Sequence, residues 1–487
     1  MTKVADFFDM RDLGRIRHAR LMQLCFWLIA VVALTLFTFL LSFIGPDGYA
    51  AYRVCIFVSL AFYLGTMATV FFHSERRVTP LLVFMAAFYL VRNSQLLLFA
   101  LGINFNAYSI LHLQGYLKDA IILTSVCNLW AGLAAVFATV PAEEHVRRLT
   151  AAEDFCDRAR MRRVLGIGCA VTGLAAFVLA VLRLVFLLLY GVAKAQTLGA
   201  QIPEIFRFAE SLFLPLCLAV GAFFYGSRLA YLTLGAAAGY CLLTALGSDY
   251  ATGAAGIVTV LFLLCFFEKN TKKRLRIVLI ALVVCLLLPF LAQSSYMIRE
   301  RVSLGSLSFG SFWIGGIRVI GDSCVSLLAM LNIVPDSEHC LLGGGYLCSI
   351  LRGALPLELD STGTLERLTA NAQIYEKWSA MYFGWATGGV GFSTDAEGYV
   401  NFGWYAFLPV LVLAFFLNRY RWYGEDAIFP KYAACVLLLA GLALPGKDCA
   451  GVWRTLVFGV LLLSLLLRRT CRALPDDASA TPESERA

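Results

Sequence analysis

Charge is what this sequence has least of. Only 15% of its 487 residues are Asp, Glu, Lys or Arg, 60% are hydrophobic, and the mean hydropathy is +0.77. Water-soluble domains carry roughly a quarter charged residues, so this composition excludes one. Metal-binding spacing is missing too. The 15 cysteines fall mostly singly within apolar runs (Cys25, Cys55, Cys127, Cys169, Cys217, Cys241, Cys265, Cys285), and there is no H-E-x-x-H or paired C-x-x-C. Such cysteines read as small apolar side chains. No Asp-x-Asp is present to hold a metal-bound nucleotide sugar, so chemistry without metal or cofactor is the expectation. "GLALPGK" (441–447) starts like a Walker phosphate loop, but Asp448 stands where Ser or Thr is required and no strand precedes it. No internal repeat is visible, which tells against transporter folds built from duplicated halves.

What the chain does have is long apolar runs. About twenty such residues match the ~30 Å hydrocarbon core at 1.5 Å per helical residue. The sequence predicts an all-α, polytopic integral membrane protein with about 12 spans: 21–44, 51–72, 79–101, 118–140, 164–190, 208–226, 229–247, 250–267, 277–293, 399–417, 432–446 and 451–467. The first run is too long for a signal-peptide core and is expected to remain as an anchor. The net charge of +8 does not indicate a nucleic-acid partner, because the basic residues cluster between apolar runs. Arg11–Arg20, Arg76–Arg77, Arg147–Arg163, Lys269–Arg276, Arg419–Lys431 and Arg468–Arg472 all fall on one side of the alternation. The opposite short loops and span ends hold only Lys118, Lys194, Arg207, Lys447 and Arg454. The positive-inside rule therefore predicts cytoplasmic termini, with the lipid bilayer as the chain's surroundings. The expected organisation is a cytoplasmic segment (1–20), nine spans (21–293), a large external loop (294–398), three spans (399–467) and a cytoplasmic tail (468–487).

The loop breaks the rhythm, and long loops in compact proteins are usually functional. It carries Arg299, Arg301, Arg318, Arg352, Arg367 and Lys377, which topology alone does not call for on that side. Its apolar stretch 308–334, interrupted by Gly315, Gly316, Arg318, Gly321 and Asp322, predicts a re-entrant or interfacial element lining a cavity. Cys340 and Cys348 are the one pair placed to form a disulfide. The tail beyond Arg472 is polar and predicted disordered.

Charges inside spans are expensive and tend to be functional. Arg92, Arg183 and Arg53 fall in or near the expected outer leaflet. They are open to three readings: snorkelling, pairing with Glu210 or Asp249, or contact with substrate. Arg299 and Arg301, at the loop's start, suit phosphate through charge-assisted bidentate hydrogen bonds. In "GFSTDAEGYVNFGW" (391–404), Glu397, Tyr399 and Asn401 stand at the expected mouth of a span. Glu397 and Asn401 share a helical face. Asp395 or Glu397 could serve the helix macrodipole, worth about 0.3–1 kcal/mol. Glu397 could equally accept a proton from a sugar hydroxyl as general base. His339 is the competing base, and Arg318 with Asp322 a local ion pair.

"GGVGFSTDAEGYVNFGWYAF" resembles a segment of bacterial Wzy-type polysaccharide polymerases, through Gly389, Gly391, Ser393, Glu397, Tyr399, Asn401, Phe402 and Gly403. "YLCSILRGALP", ending at Pro356, is similar to that family's apolar stretch before it. One departure is "LGSDYATG", where Asp249 replaces an Arg and removes any phosphate role. The resemblance implies a possible GT-C-like fold and a glycosyltransferase that polymerises undecaprenyl-diphosphate-linked oligosaccharide at the periplasmic face of the inner membrane. A chain-length regulator and a flippase are its implied partners. Arg299, Arg301, Arg318 and Arg352 would hold the leaving diphosphate, with Arg92 and Arg183 as further substrate contacts. Glu397, or else His339, would be the base, and Tyr399 and Asn401 would position the acceptor. A lipid-linked oligosaccharide flippase and an O-antigen ligase are the competing readings.

Overall fold

In the computed structural model, residues 14–44, 49–74, 78–103, 114–137, 158–192, 201–247, 249–301, 308–321, 323–337, 341–354, 393–419 and 428–444 are described, with a few single positions such as 449, 452 and 459. Among them there are helices and turns but no strand. Apolar runs of this length, placed in hydrocarbon, can satisfy their backbone groups only within themselves, which a helix does. In chain order the helices are α1 (Gly14–Ile44), α2 (Tyr49–His73), α3 (Pro80–Ala100), α4 (Leu117–Phe137), α5 (Arg158–Tyr190), α6 (Glu204–Phe223), α7 (Arg228–Gly247) and α8 (Tyr250–Phe267). They continue with α9 (Thr271–Glu300), α10 (Phe309–Ile320), α11 (Cys324–Ser337), α12 (Gly344–Ala354), α13 (Thr394–Phe402), α14 (Phe407–Arg419) and α15 (Ile428–Ala443).

Eight of these, α2 to α9, are long and apolar enough to cross a membrane. The number rises to ten if each of two bent pairs counts as one span. Shorter apolar stretches lie in α1 (Cys25–Leu41) and α15 (Lys431–Ala443). Most of the twelfth expected span, 451–467, lies outside the described residues. This is a multi-pass membrane protein. Its polarity is inverted as a bilayer requires: α9 turns Leu275, Leu279, Ile280, Leu282 and Leu286 outward, while Arg92, Asp395 and Glu397 are buried.

Helix ends are set locally. Thr79 caps α3 by accepting from the Leu82 N–H, with Pro80 at the first position. Asn270 caps α9 through the Lys272 and Lys273 N–H groups. Asp249 caps α8, accepting from the backbone and hydroxyl of Thr252, which gives that lone acid a local job. The most enclosed span is α4, on which α1, α2, α3, α11 and α14 converge. A second group, α5 to α9, joins it through α15, which packs on α3, α6 and α8.

Two elements depart from the sequence expectation. First, α9 does not stop at 293 but runs to Glu300, so Arg299 lies on its last helical turn and Arg301 closes it in the left-handed conformation (φ 55°). Second, the glycines of 308–334 do not all break the chain. The bend of 41° falls between α10 and α11, beside Gly321. Gly315 and Gly316 are instead a contact surface, since a Cβ on Gly316 would lie 1.7 Å from the Pro289 carbonyl oxygen. Small residues let helices approach backbone to backbone in this way. The Trp313 indole donates to the Leu286 carbonyl in the same contact (3.2 Å). Gly316→Ala is therefore expected to force α10 off α9 and cost about 1–3 kcal/mol, as overpacking does. The thermal unfolding midpoint of the detergent-solubilised protein should fall, whereas Gly310→Ala, which meets nothing within 4 Å, should leave it unchanged or higher.

Candidate active site

The segment 394–418 is not one span. Residues 394–405 and 407–418 meet at an angle of 113°. The turn is made at Gly403 (φ 59°, ψ −133°), a conformation that costs a residue with a Cβ dearly. Gly398 allows the fold-back, because a Cβ there would come within 2.8 Å of the Ala406 carbonyl oxygen. As a result α13 lies within the protein instead of at a water boundary. Every residue from Thr394 to Asn401 is buried.

A buried nine-residue helix carrying two carboxylates needs partners, since an unpaired charge in a low-dielectric interior is severely destabilising. Asp395 finds one on α3: Arg92 Nε donates to its Oδ2 at 2.8 Å, with 1% and 0% of the two side chains exposed. The Thr124 hydroxyl on α4 donates to the same oxygen (3.1 Å), and Oδ1 takes the Ala396 N–H (3.1 Å). Glu397 is 1% exposed, and its Oε2 accepts the Cys449 N–H (2.8 Å). The segment after α15 thus holds α13 twice, because the Thr394 hydroxyl also donates to the Leu444 carbonyl (3.1 Å).

Asn401 serves as a bracket. Its Nδ2 donates to the Glu397 carbonyl and its Oδ1 accepts the Gly345 N–H, both at 2.9 Å, so α12 is fastened onto α13. The Leu341 N–H to the Val400 carbonyl (3.0 Å) adds a second tie. A turn with Leu342 and Gly343 both at positive φ delivers α12 there. Its Tyr346 ring stacks on Phe402, with centroids 5.9 Å apart and planes 16° apart. Tyr399 is buried edge-on to Trp404 (6.0 Å, 87°). Ser393 does not cap α13 with its side chain but shares a hydrogen bond with Ser326 on α11 (3.2 Å).

Other candidates lie around this centre or away from it. The Arg318 backbone docks α10 onto α3, its carbonyl accepting from Gln95 Nε2 (2.6 Å) one helical turn beyond Arg92. Arg299 is half-buried, and Arg301 is exposed with its guanidinium against Gly191, where a Cβ would lie 3.5 Å away. Arg352 falls on α12, with its side chain outside the described residues, as are His339, Asp322 and Cys340. Arg183 is placed elsewhere, in a two-pronged pair with Glu210 (2.5 and 2.7 Å) that the Tyr240 hydroxyl joins (2.9 Å). Among the described residues no group of three or more His, Cys, Asp or Glu side chains could hold a metal ion.

Sequence reading weighed Asp395 as a helix-end charge and missed Thr124 and Tyr346. The signal for Asp395 was available by elimination. An Arg at mid-span with no acid in its own helix must find one elsewhere, and few spans carry one.

Comparison with protein families decides the identity. The model described as O-antigen polysaccharide polymerase Wzy matches residues 26–444. The chain belongs to the Wzy family. No curated protein and no solved structure matches it. The resemblance carried by Glu397, Tyr399, Asn401 and Gly403 is thereby borne out, and the activity of this Wzy protein is polymerisation of O-antigen repeat units, a glycosyl transfer. On α13 the family's segment thus carries two buried acids, Asp395 paired with Arg92 of α3 and Glu397 bonded to the Cys449 N–H.

Proposed function

We propose that this Wzy protein moves the growing O-antigen chain from undecaprenyl diphosphate to the non-reducing-end hydroxyl of an incoming lipid-linked repeat unit. The reaction takes place at the periplasmic face of the inner membrane and uses no metal. The C1–O bond to diphosphate breaks, a C1–O bond to the acceptor forms, and the acceptor's proton passes to Glu397. The diphosphate leaves with its negative charge neutralised by Arg299 and Arg301, with Arg318 and Arg352 in support. His339 is the alternative base. Asn401 fixes the helix that carries Glu397, and Tyr399 completes its packing.

One observation carries this reading: Glu397 and Asp395 are buried on a helix broken out of the membrane-span pattern, with Arg92 paired to Asp395. A carboxylate that served only a helix end would not need to be taken out of water. Arginines on the expected outer side are suited to phosphate because each gives a fork of charge-assisted donors, typically worth about 1.5–3 kcal/mol apiece.

The test is the surface polysaccharide run on a gel after gene deletion. The expected result is collapse of the polymer ladder to a single repeat unit. Complementation with wild type should restore it, and Arg299→Ala with Arg301→Ala should restore it about tenfold to a hundredfold less well. Loss of even the single unit would instead mean flippase or ligase. An unchanged ladder would remove the reading altogether.

A further inference from the structure

The ion pair and the backbone brackets do not satisfy every polar group at this centre. Arg92 Nη1, both ends of the Asn93 amide, Asn128 Oδ1 and the Tyr346 hydroxyl are buried without a hydrogen-bond partner among the described residues. Native interiors leave few such atoms, and a group of them points to something that binds there. Arg92, Asn93 and Asn128 are each at least 99% buried. Arg92 reaches Asp395 on α13, and Asn128 lies one turn from Thr124, which also bonds Asp395. Tyr346 is of another kind. Its ring is fixed by the Phe402 stack and by the Gly345–Asn401 bond next to it, so the hydroxyl's position is held while the hydroxyl itself bonds nothing among the described residues.

The surroundings of that hydroxyl are acidic. Burial, and next the Glu397 carboxylate, push the phenol well above its ordinary value, with Asp395, Cys449 and Cys127 contributing. It therefore remains a donor throughout the physiological range. A committed donor, buried without a partner among the described residues and next to the Gly345–Asn401 bracket that reaches the Glu397 carbonyl, matches a sugar, whose adjacent hydroxyls and ring oxygen are acceptors.

We propose that Tyr346 is an acceptor-binding residue: its hydroxyl donates a hydrogen bond to the sugar oxygen adjacent to the hydroxyl that Glu397 deprotonates. This rests on the reading of Glu397 as the base in the transfer. The phenol itself undergoes no change in the reaction. It fixes the acceptor ring so that the correct hydroxyl, of several similar ones, faces Glu397. That makes Tyr346 a determinant of which linkage is formed as well as of rate.

The experiment is Tyr346→Phe in the full-length protein, assayed for polymerisation in the deletion strain and for thermal unfolding in detergent. The ring and its stack on Phe402 are kept and only the unpartnered hydroxyl goes, so the fold should hold or gain. The expected result is polymerisation lowered about tenfold with an unchanged or higher unfolding midpoint, the cost of one lost hydrogen bond to substrate. Wild-type polymerisation would overturn the proposal. So would a fall in midpoint that matches the loss of activity, because the hydroxyl would then be structural, bonded to a buried water. Glu397→Gln, run beside it, separates the two readings. If Glu397→Gln is inactive while Tyr346→Phe is fully active, only the proposal for Tyr346 fails. If Glu397→Gln is active, the base assignment fails, whatever Tyr346→Phe does.

Discussion

Glu397→Gln should abolish the polymer ladder while leaving a folded protein in the membrane. The substitution keeps the side chain's size and leaves an amide oxygen able to accept the Cys449 N–H that now bonds Oε2. It also removes a desolvated charge, while the amide NH2 that takes the place of Oε1 brings two N–H donors into the interior, so the amount of folded variant is measured beside the ladder. What it cannot supply is a proton acceptor. General-base contributions are typically 10²–10⁴-fold, so the expected loss is about that size, enough to leave only single repeat units on a gel. The measurement is the ladder, read against the amount of folded variant. A ladder of wild-type length would remove Glu397 as base and turn attention to His339.

Eight of the expected spans were legible because each of those apolar runs becomes one long helix, α2 to α9, and ends fall where Thr79, Asp249 and Asn270 supply caps. What could not be read was the break at Gly403. Val400 to Leu417 is apolar enough to pass for a continuous span, and its one breaking signal, Pro409 near the middle of the run, lies in the first turn of α14 and not at the turn itself. The break is decided by close approach: α13 folds back because Gly398 lets the Ala406 backbone in. A sequence read in one dimension carries the glycine but not the neighbour. The same holds for Gly316, read as a helix breaker and used as a contact face for α9.

The site was half legible for a related reason. Glu397, Tyr399 and Asn401 stood out because polar residues are rare in this chain, and rarity is a one-dimensional signal. Their depth did not, since a helix placed at a water boundary and one tucked under α12 share the same sequence. Arg183 and Arg92 looked alike as lone cations in spans. One pairs with Glu210 on the neighbouring helix in sequence, a partner that could be named in advance. The other crosses 303 positions to Asp395, a separation that no local pattern reports.

That long-range pair is also where the largest stability effect is expected. Arg92→Met or Asp395→Leu alone should lower unfolding stability by about 3–5 kcal/mol, because each leaves one charge buried without its partner. The singles should therefore accumulate poorly in the membrane. The double variant Arg92→Met with Asp395→Leu exposes no such charge. Replacement of a buried ion pair by apolar side chains of similar volume is often neutral or stabilising, so its unfolding midpoint should return to near the wild-type value. Polymerisation should not return with it. The double variant removes the guanidinium whose Nη1 is buried without a partner among the described residues and strips one charge from the acidic surroundings of Tyr346. A protein that is folded but inactive would separate what the pair does for the fold from what it does for the reaction. A double variant that makes full-length polymer would mean that Arg92 and Asp395 do nothing beyond anchoring α13 to α3.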